Sequence, residues 1–101
     1  MDIEYLVEKI KEELCDSKDY IKKAIELKPM TESWAKKLYE MSVEEHKHAN
    51  NLYSMFNEYC SKITSSFTDM PQYISDARNE VIDMYSEYTT CIKTLWEIYK
   101  G

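Results

Sequence analysis

Only three residues of this chain are strong helix breakers: Pro29, Pro71 and a single glycine, Gly101, at the last position. Proline lacks the backbone N–H that an interior helical turn uses, and it disfavours helical geometry in the residue before it. The segments between these points are rich in Glu, Lys, Leu, Ile and Met, which favour helix, and almost nothing in them can make the tight turns of a sheet. The nine tyrosines cut mildly the other way. The expectation is an all-α chain, a single domain over residues 1–101, with helices over about 2–28, 32–63 and 71–100. Helices of roughly 30 residues would each be about 45 Å long, so the domain should be elongated.

Apolar spacing supports the same reading. In the first segment Ile3, Leu6, Ile10, Glu13, Ser17, Tyr20, Ala24 and Leu27 alternate steps of three and four, which places them on one helical stripe. In the second, Trp34, Leu38, Met41, Glu45, His48, Leu52, Met55, Tyr59 and Lys62 do the same. The link at Pro29-Met30 is short enough to make these two helices an antiparallel hairpin. A polar stretch, 64–70, precedes Pro71, which suits the first turn of a third helix. That helix carries two adjacent stripes: Ile74, Ala77, Val81, Met84, Tyr88, Cys91, Leu95 and Ile98, and beside them Ile82, Tyr85, Ile92, Trp96 and Tyr99. Together they form an apolar face wider than a hairpin covers, so Ile92, Trp96, Tyr85 and Tyr99 are assigned to a dimer interface. The acids Asp76, Glu80, Asp83, Glu87 and Glu97 fall on the opposite, solvated face, and the third helix supplies no ligand.

Three residues stand out against this pattern. Glu13, Glu45 and His48 occupy positions where an apolar side chain is expected, and a carboxylate is rarely buried unless paired or bound to an ion. Residues three apart project from one helical face, so Glu45 and His48 can offer an oxygen and a nitrogen to the same ion while Glu13 comes from the facing helix. Mixed carboxylate and imidazole ligation suits Fe(II), Mn(II) or Zn(II). A metal-free network of Glu–His or Glu–Tyr hydrogen bonds would satisfy the same positions. His46, two residues before His48, falls off the stripe, at the edge of the bundle, and Glu44 is assigned as a solvated partner of Lys47 or Lys37.

The segment Glu13-Leu14-Cys15-Asp16-Ser17-Lys18-Asp19-Tyr20 resembles the first-helix pattern of the ferritin-like superfamily, a metal-binding Glu followed two turns later by a Tyr. Ser42-Val43-Glu44-Glu45-His46-Lys47-His48-Ala49 is similar to its second-helix Glu-Glu-x-x-His-Ala pattern, as in rubrerythrins and encapsulated ferritins. The resemblance covers roughly residues 5–60 and implies that Glu13, Glu45 and His48 are ligands, that Tyr20 stands behind them, and that the ion is iron, with Fe(II) oxidation as the activity. Full four-helix members carry twice this ligand set. A half set resembles encapsulated ferritins, in which two short subunits each lend a half-site, and implies a bundle completed by a homodimer or higher homo-oligomer. Short prophage members of the superfamily are also similar in length and in the Tyr-Lys ending.

Charge narrows the partners. A net charge of −6 with no basic stripe argues against direct nucleic-acid binding. It leaves open a second function, a non-enzymatic acidic helical protein of phage or prophage type that binds or inhibits a host protein with its metal site vestigial. No apolar run is long enough for a signal peptide or a membrane span. Cys15, Cys60 and Cys91 are odd in number, widely spaced and without a C-x-x-C pair, which fits reduced thiols and a cytoplasmic location.

Overall fold

The structure, a computed structural model, describes residues 2–66 and 70–101. Its three helices are α1 (Ile3–Leu27), α2 (Glu32–Ser66) and α3 (Gln72–Lys100), and no strand occurs among the described residues. The ends follow local chemistry. Asp2 caps α1, its carboxylate accepting the Glu4 backbone N–H at 3.0 Å. Pro29 sits in a turn closed by the Met30 and Thr31 N–H groups donating to the Leu27 carbonyl. Pro71 stands one position outside α3, as its N-cap, and its carbonyl accepts from Ile74 and Ser75. Part of the expected polar break, residues 67–69, lies outside the described residues. The body measures 57 × 20 × 15 Å, elongated as expected.

α1 packs against both other helices, and its stripe is close to the expected one: Ile3, Leu6, Ile10, Ser17 and Ala24 are buried, joined by Val7, Leu14 and Ile21. α2 departs from expectation. Trp34, the head of the expected stripe, is 64% exposed, and Met41, His48, Met55 and Lys62 are exposed too. The buried positions lie one residue round the helix: Ala35, Ser42, His46, Ala49, Phe56 and Cys60. The reason is distance. Small residues let two helix backbones approach, and at the closest point the Ser17 hydroxyl donates to the Ser42 carbonyl (2.8 Å) while the Ser42 hydroxyl donates to the Ser17 carbonyl (2.7 Å). A stripe of Trp and Met cannot come that close.

α2 and α3 meet through long side chains. Tyr39 stacks on Tyr99 (centroids 4.8 Å apart) and Tyr53 on Tyr85 (4.1 Å), while Trp96 meets the His46 ring edge-on at 5.3 Å. Trp96 also donates its indole N–H to the Ser42 hydroxyl at 2.9 Å, and Tyr85 donates to the Asn50 side-chain oxygen. Rings of this size hold the backbones apart while still excluding water. The four residues assigned to a dimer interface are therefore engaged within the chain: Ile92 is fully buried, and Tyr85, Trp96 and Tyr99 pack on α2. The large apolar side chains that α3 leaves exposed are Tyr73, Ile82 and Ile98.

Candidate metal centre

The Ser17–Ser42 contact fixes the antiparallel register, and the register builds the site. Moving one turn back along α1 from Ser17 reaches Glu13, and moving one turn forward along α2 from Ser42 reaches the turn that holds Glu45 and His48. The three ligand atoms offered there all lie within 4.8 Å of one another. His48 Nδ1 is 3.5 Å from Glu13 Oε2 and 3.8 Å from Glu45 Oε1. Atoms held on one ion at about 2.0–2.2 Å are separated by roughly 3.0–3.5 Å when they sit at neighbouring vertices. The two distances to His48 Nδ1 are within a few tenths of an ångström of that spacing, and the trio as a whole, spread over at most 4.8 Å, must draw in further to share one ion.

Electrostatics point the same way. Both carboxyl groups are 23% exposed, while the imidazole is half-exposed. Glu13 Oε2 is buried and receives no hydrogen bond, the only such side-chain atom among the described residues. Two carboxyls crowded together cannot both ionise cheaply. Sharing a hydrogen bond with Glu13, then burial, then the Glu13 charge push Glu45 up to about 7, against a smaller lowering by His48. Asp16, just outside the trio on α1, is also raised, first by burial and then by the Glu45 charge. The site repels itself in the absence of a cation, and a divalent cation would remove that repulsion.

Sharing a proton has a measurable consequence for the metal-free protein. A carboxyl that titrates near 4.5 in the unfolded chain and near 7 in the folded one favours folding below pH 4.5, and that contribution is lost as the pH rises through the folded value. The shift corresponds to at most about 3 kcal/mol, and partial contact with water lowers the expectation to roughly 1–2 kcal/mol. Urea unfolding in a chelator should show this fall in stability between the two pKa values and little further change from Glu45 above them. Glu45→Gln should flatten that slope; an unchanged slope in the variant would assign it elsewhere.

Of the other assigned residues, Tyr20 is half-buried and, among the described residues, makes no hydrogen bond, to the trio or otherwise. It sits two turns along α1 from Glu13, about 10 Å at the usual helical rise. Glu44 pairs with neither Lys47 nor Lys37; its carboxylate instead lies 4.0 Å from His48 Nε2, one turn away. An imidazole that coordinates through Nδ1 presents its Nε2–H on that side, where a carboxylate helps to hold its orientation. The i, i+4 spacing of Glu44 and His48 was the available signal. His46 is not at the edge: it is buried, its Nε2 is 3.0 Å from the Thr89 hydroxyl, and burial, with a smaller contribution from Lys93, lowers its pKa. It belongs to the core. The five α3 acids are all exposed and none reaches the trio. The three cysteines are free thiols, Cys15 donating to the Tyr88 hydroxyl at 3.4 Å, and none takes part in the cluster. No helix is long and apolar enough to cross a membrane among the described residues.

Comparison with protein-family models, with curated proteins and with solved structures finds no match to the chain.

Proposed function

We propose that this chain is a ferritin-like metal-binding protein that takes iron at Glu13, Glu45 and His48, in a site completed by a second copy. The observation that carries the reading is the buried Glu13 Oε2, which receives no hydrogen bond and lies 3.5 Å from an imidazole nitrogen that also has a second carboxylate beside it. Two carboxylates and one imidazole fit Fe(II), and fit Mn(II) or Zn(II) as well; the resemblance of the two motifs favours iron. Iron held by Glu13, Glu45 and His48 would supply one-electron chemistry toward dioxygen or peroxide. The chain's part is to hold the ion, to keep it partly shielded from water between α1 and α2, and to fix His48 through Glu44.

The exposed stripe of α2 supports the second copy. Trp34, Leu38, Met41, Glu45, His48, Leu52, Met55 and Tyr59 keep the alternating four-three spacing of a coiled-coil seam, of which Trp34, Met41, His48 and Met55 are exposed while Leu38, Glu45, Leu52 and Tyr59 are half-buried. Laid antiparallel on itself about a twofold axis between His46 and Lys47, this stripe pairs Glu45 with His48, Met41 with Leu52, Leu38 with Met55 and Trp34 with Tyr59, each with its counterpart in the other copy. Apolar layers then flank a doubled Glu-His set, which is what an isologous interface requires. The dimer surface is thus moved from α3 to α2.

Anaerobic reconstitution with Fe(II), followed by desalting and metal analysis, tests the reading. Wild type should retain iron, and Glu45→Ala and His48→Ala should each lose it while keeping wild-type helicity. Retention below about 0.2 ions per chain in wild type, or undiminished retention in both variants, would overturn the assignment.

A further inference from the structure

The Tyr53–Tyr85 stack, with centroids 4.1 Å apart, props α2 and α3 apart, and toward the end of α2 the side chains that face the gap are small. Asn57, Ser61, Thr64 and Ser65 cannot fill it, and an open cleft of about 700 Å³ results. That volume is within the roughly 300–1,000 Å³ of small-molecule sites. Tyr53, Cys60, Met70 and Ile82 give it an apolar lining, in which Cys60 is buried and Ile82 is 38% exposed. The cleft shares no residue with the metal trio or with the α2 stripe.

Its charge is of one sign. Arg78, the only arginine of a chain with net charge −6, lines the cleft, and no acid is among the described residues that do so. Among the described residues Arg78 makes no hydrogen bond or salt bridge. Unpaired cations such as Lys11, Lys22 and Lys36 are ordinary on this surface, but none of them faces a cleft. Burial pushes the Cys60 thiol up and the Arg78 charge partly opposes it, so the guanidinium is within electrostatic reach of the cleft's buried thiol. The Thr64 and Ser65 hydroxyls already donate to the Cys60 and Lys62 carbonyls, at 2.9 and 2.8 Å, and offer a ligand only acceptor lone pairs. Among the described lining residues, Arg78 alone supplies charge.

We infer that this cleft binds a small organic anion, a carboxylate carried on a flat apolar body. A planar guanidinium matches a carboxylate in a two-bond fork. Tyr53, Met70 and Ile82 would cover the apolar body, while Asn57 and Ser61 stand beside it as neutral polar groups. A bare inorganic anion would leave that lining uncovered, and a cation would meet Arg78 with like charge. The inference is independent of the metal reading.

Cinnamate is the probe, titrated into the full chain and followed by backbone amide chemical shifts. Shifts centred on residues 57–65 and 78–82 should saturate with a Kd below about 1 mM. Arg78→Gln should weaken binding by about tenfold and Arg78→Lys by about threefold, since an ammonium keeps the charge without the fork. Lys36→Gln, the same loss of charge elsewhere, should alter it by less than about twofold. Ile82→Ser should weaken it by a few-fold. Acetate, which lacks the apolar body, and cinnamamide, which lacks the charge, should each bind at least about tenfold more weakly. Absence of a saturable shift, equal losses in Arg78→Gln and Lys36→Gln, or acetate or cinnamamide binding as tightly as cinnamate each overturns the proposal. Arg78 and Ile82 are both exposed, so these variants leave the core intact, and the two substitutions test the charged and apolar sides separately.

Discussion

Ile92→Asp should abolish cooperative folding. Ile92 is fully exposed to solvent in the unfolded chain and fully buried in the folded one, in the cluster that also holds Leu6, Ile10, Leu14, Phe56 and Val81. Replacing it removes roughly 1.5–3 kcal/mol of apolar transfer and places a carboxylate where none of the surrounding core residues carries a cation. A domain of this size has about 5–15 kcal/mol of stability in total, so a combined loss beyond about 4 kcal/mol consumes most of it. The expected readout is weak far-UV helicity with no sigmoidal thermal transition. Ile98→Asp is the internal control, since that side chain is 57% exposed and the same substitution should cost within about 0.5 kcal/mol. If Ile92→Asp melts cooperatively within about 1 kcal/mol of wild type, the core described for α3 is wrong.

This contrast between two isoleucines six residues apart shows what periodicity can and cannot decide. Helix number and most ends were legible because they depend on local chemistry, namely Pro29, Pro71, Asp2 and an almost complete lack of glycine, whereas α2 runs on to Ser66, three residues past the expected end at 63, because no proline or glycine stops it there. Which face of α2 turns inward was not legible. Two stripes lie side by side on that helix with the same period, one of large residues (Trp34, Met41, Met55) and one of small residues with Phe56 (Ala35, Ser42, Ala49). Ranking by bulk apolarity selects the first, whereas close packing on α1 selects the second. His46 was misplaced for the same reason, because a buried imidazole bonded to Thr89 follows from the tertiary contact and from nothing in its neighbours. The Glu45–His48 pair was legible because its geometry is contained in one helical turn. That Glu13 faces it follows from the hairpin register, which Ser17 and Ser42 set.

The error on α2 carries the second large expectation. A stripe with the period of a buried seam, of which the chain leaves Trp34, Met41, His48 and Met55 exposed, asks for a partner with the same period, and the chain itself is one. In the proposed antiparallel pairing Met41 of one copy meets Leu52 of the other, twice per dimer. Met41→Cys with Leu52→Cys should therefore give a covalent dimer on mild oxidation at high yield, while neither single variant does. The two introduced thiols are eleven residues apart on one helix, about 16 Å, far beyond the reach of a disulfide within the chain. Native thiols are controlled by wild type under the same oxidant, in which Cys15, Cys60 and Cys91 should leave the chain monomeric on denaturing gels. Because the same pairing doubles the Glu-His set, Fe(II) under anaerobic conditions should raise dimer population in wild type and leave it unchanged in His48→Ala, with cross-linking of the double variant read after the metal is removed. Efficient cross-linking without iron retention would leave the interface standing and remove the metal reading. Iron retained by a chain that sediments as a monomer and never cross-links would do the reverse, and would confine the ion to Glu13, Glu45 and His48 of a single copy.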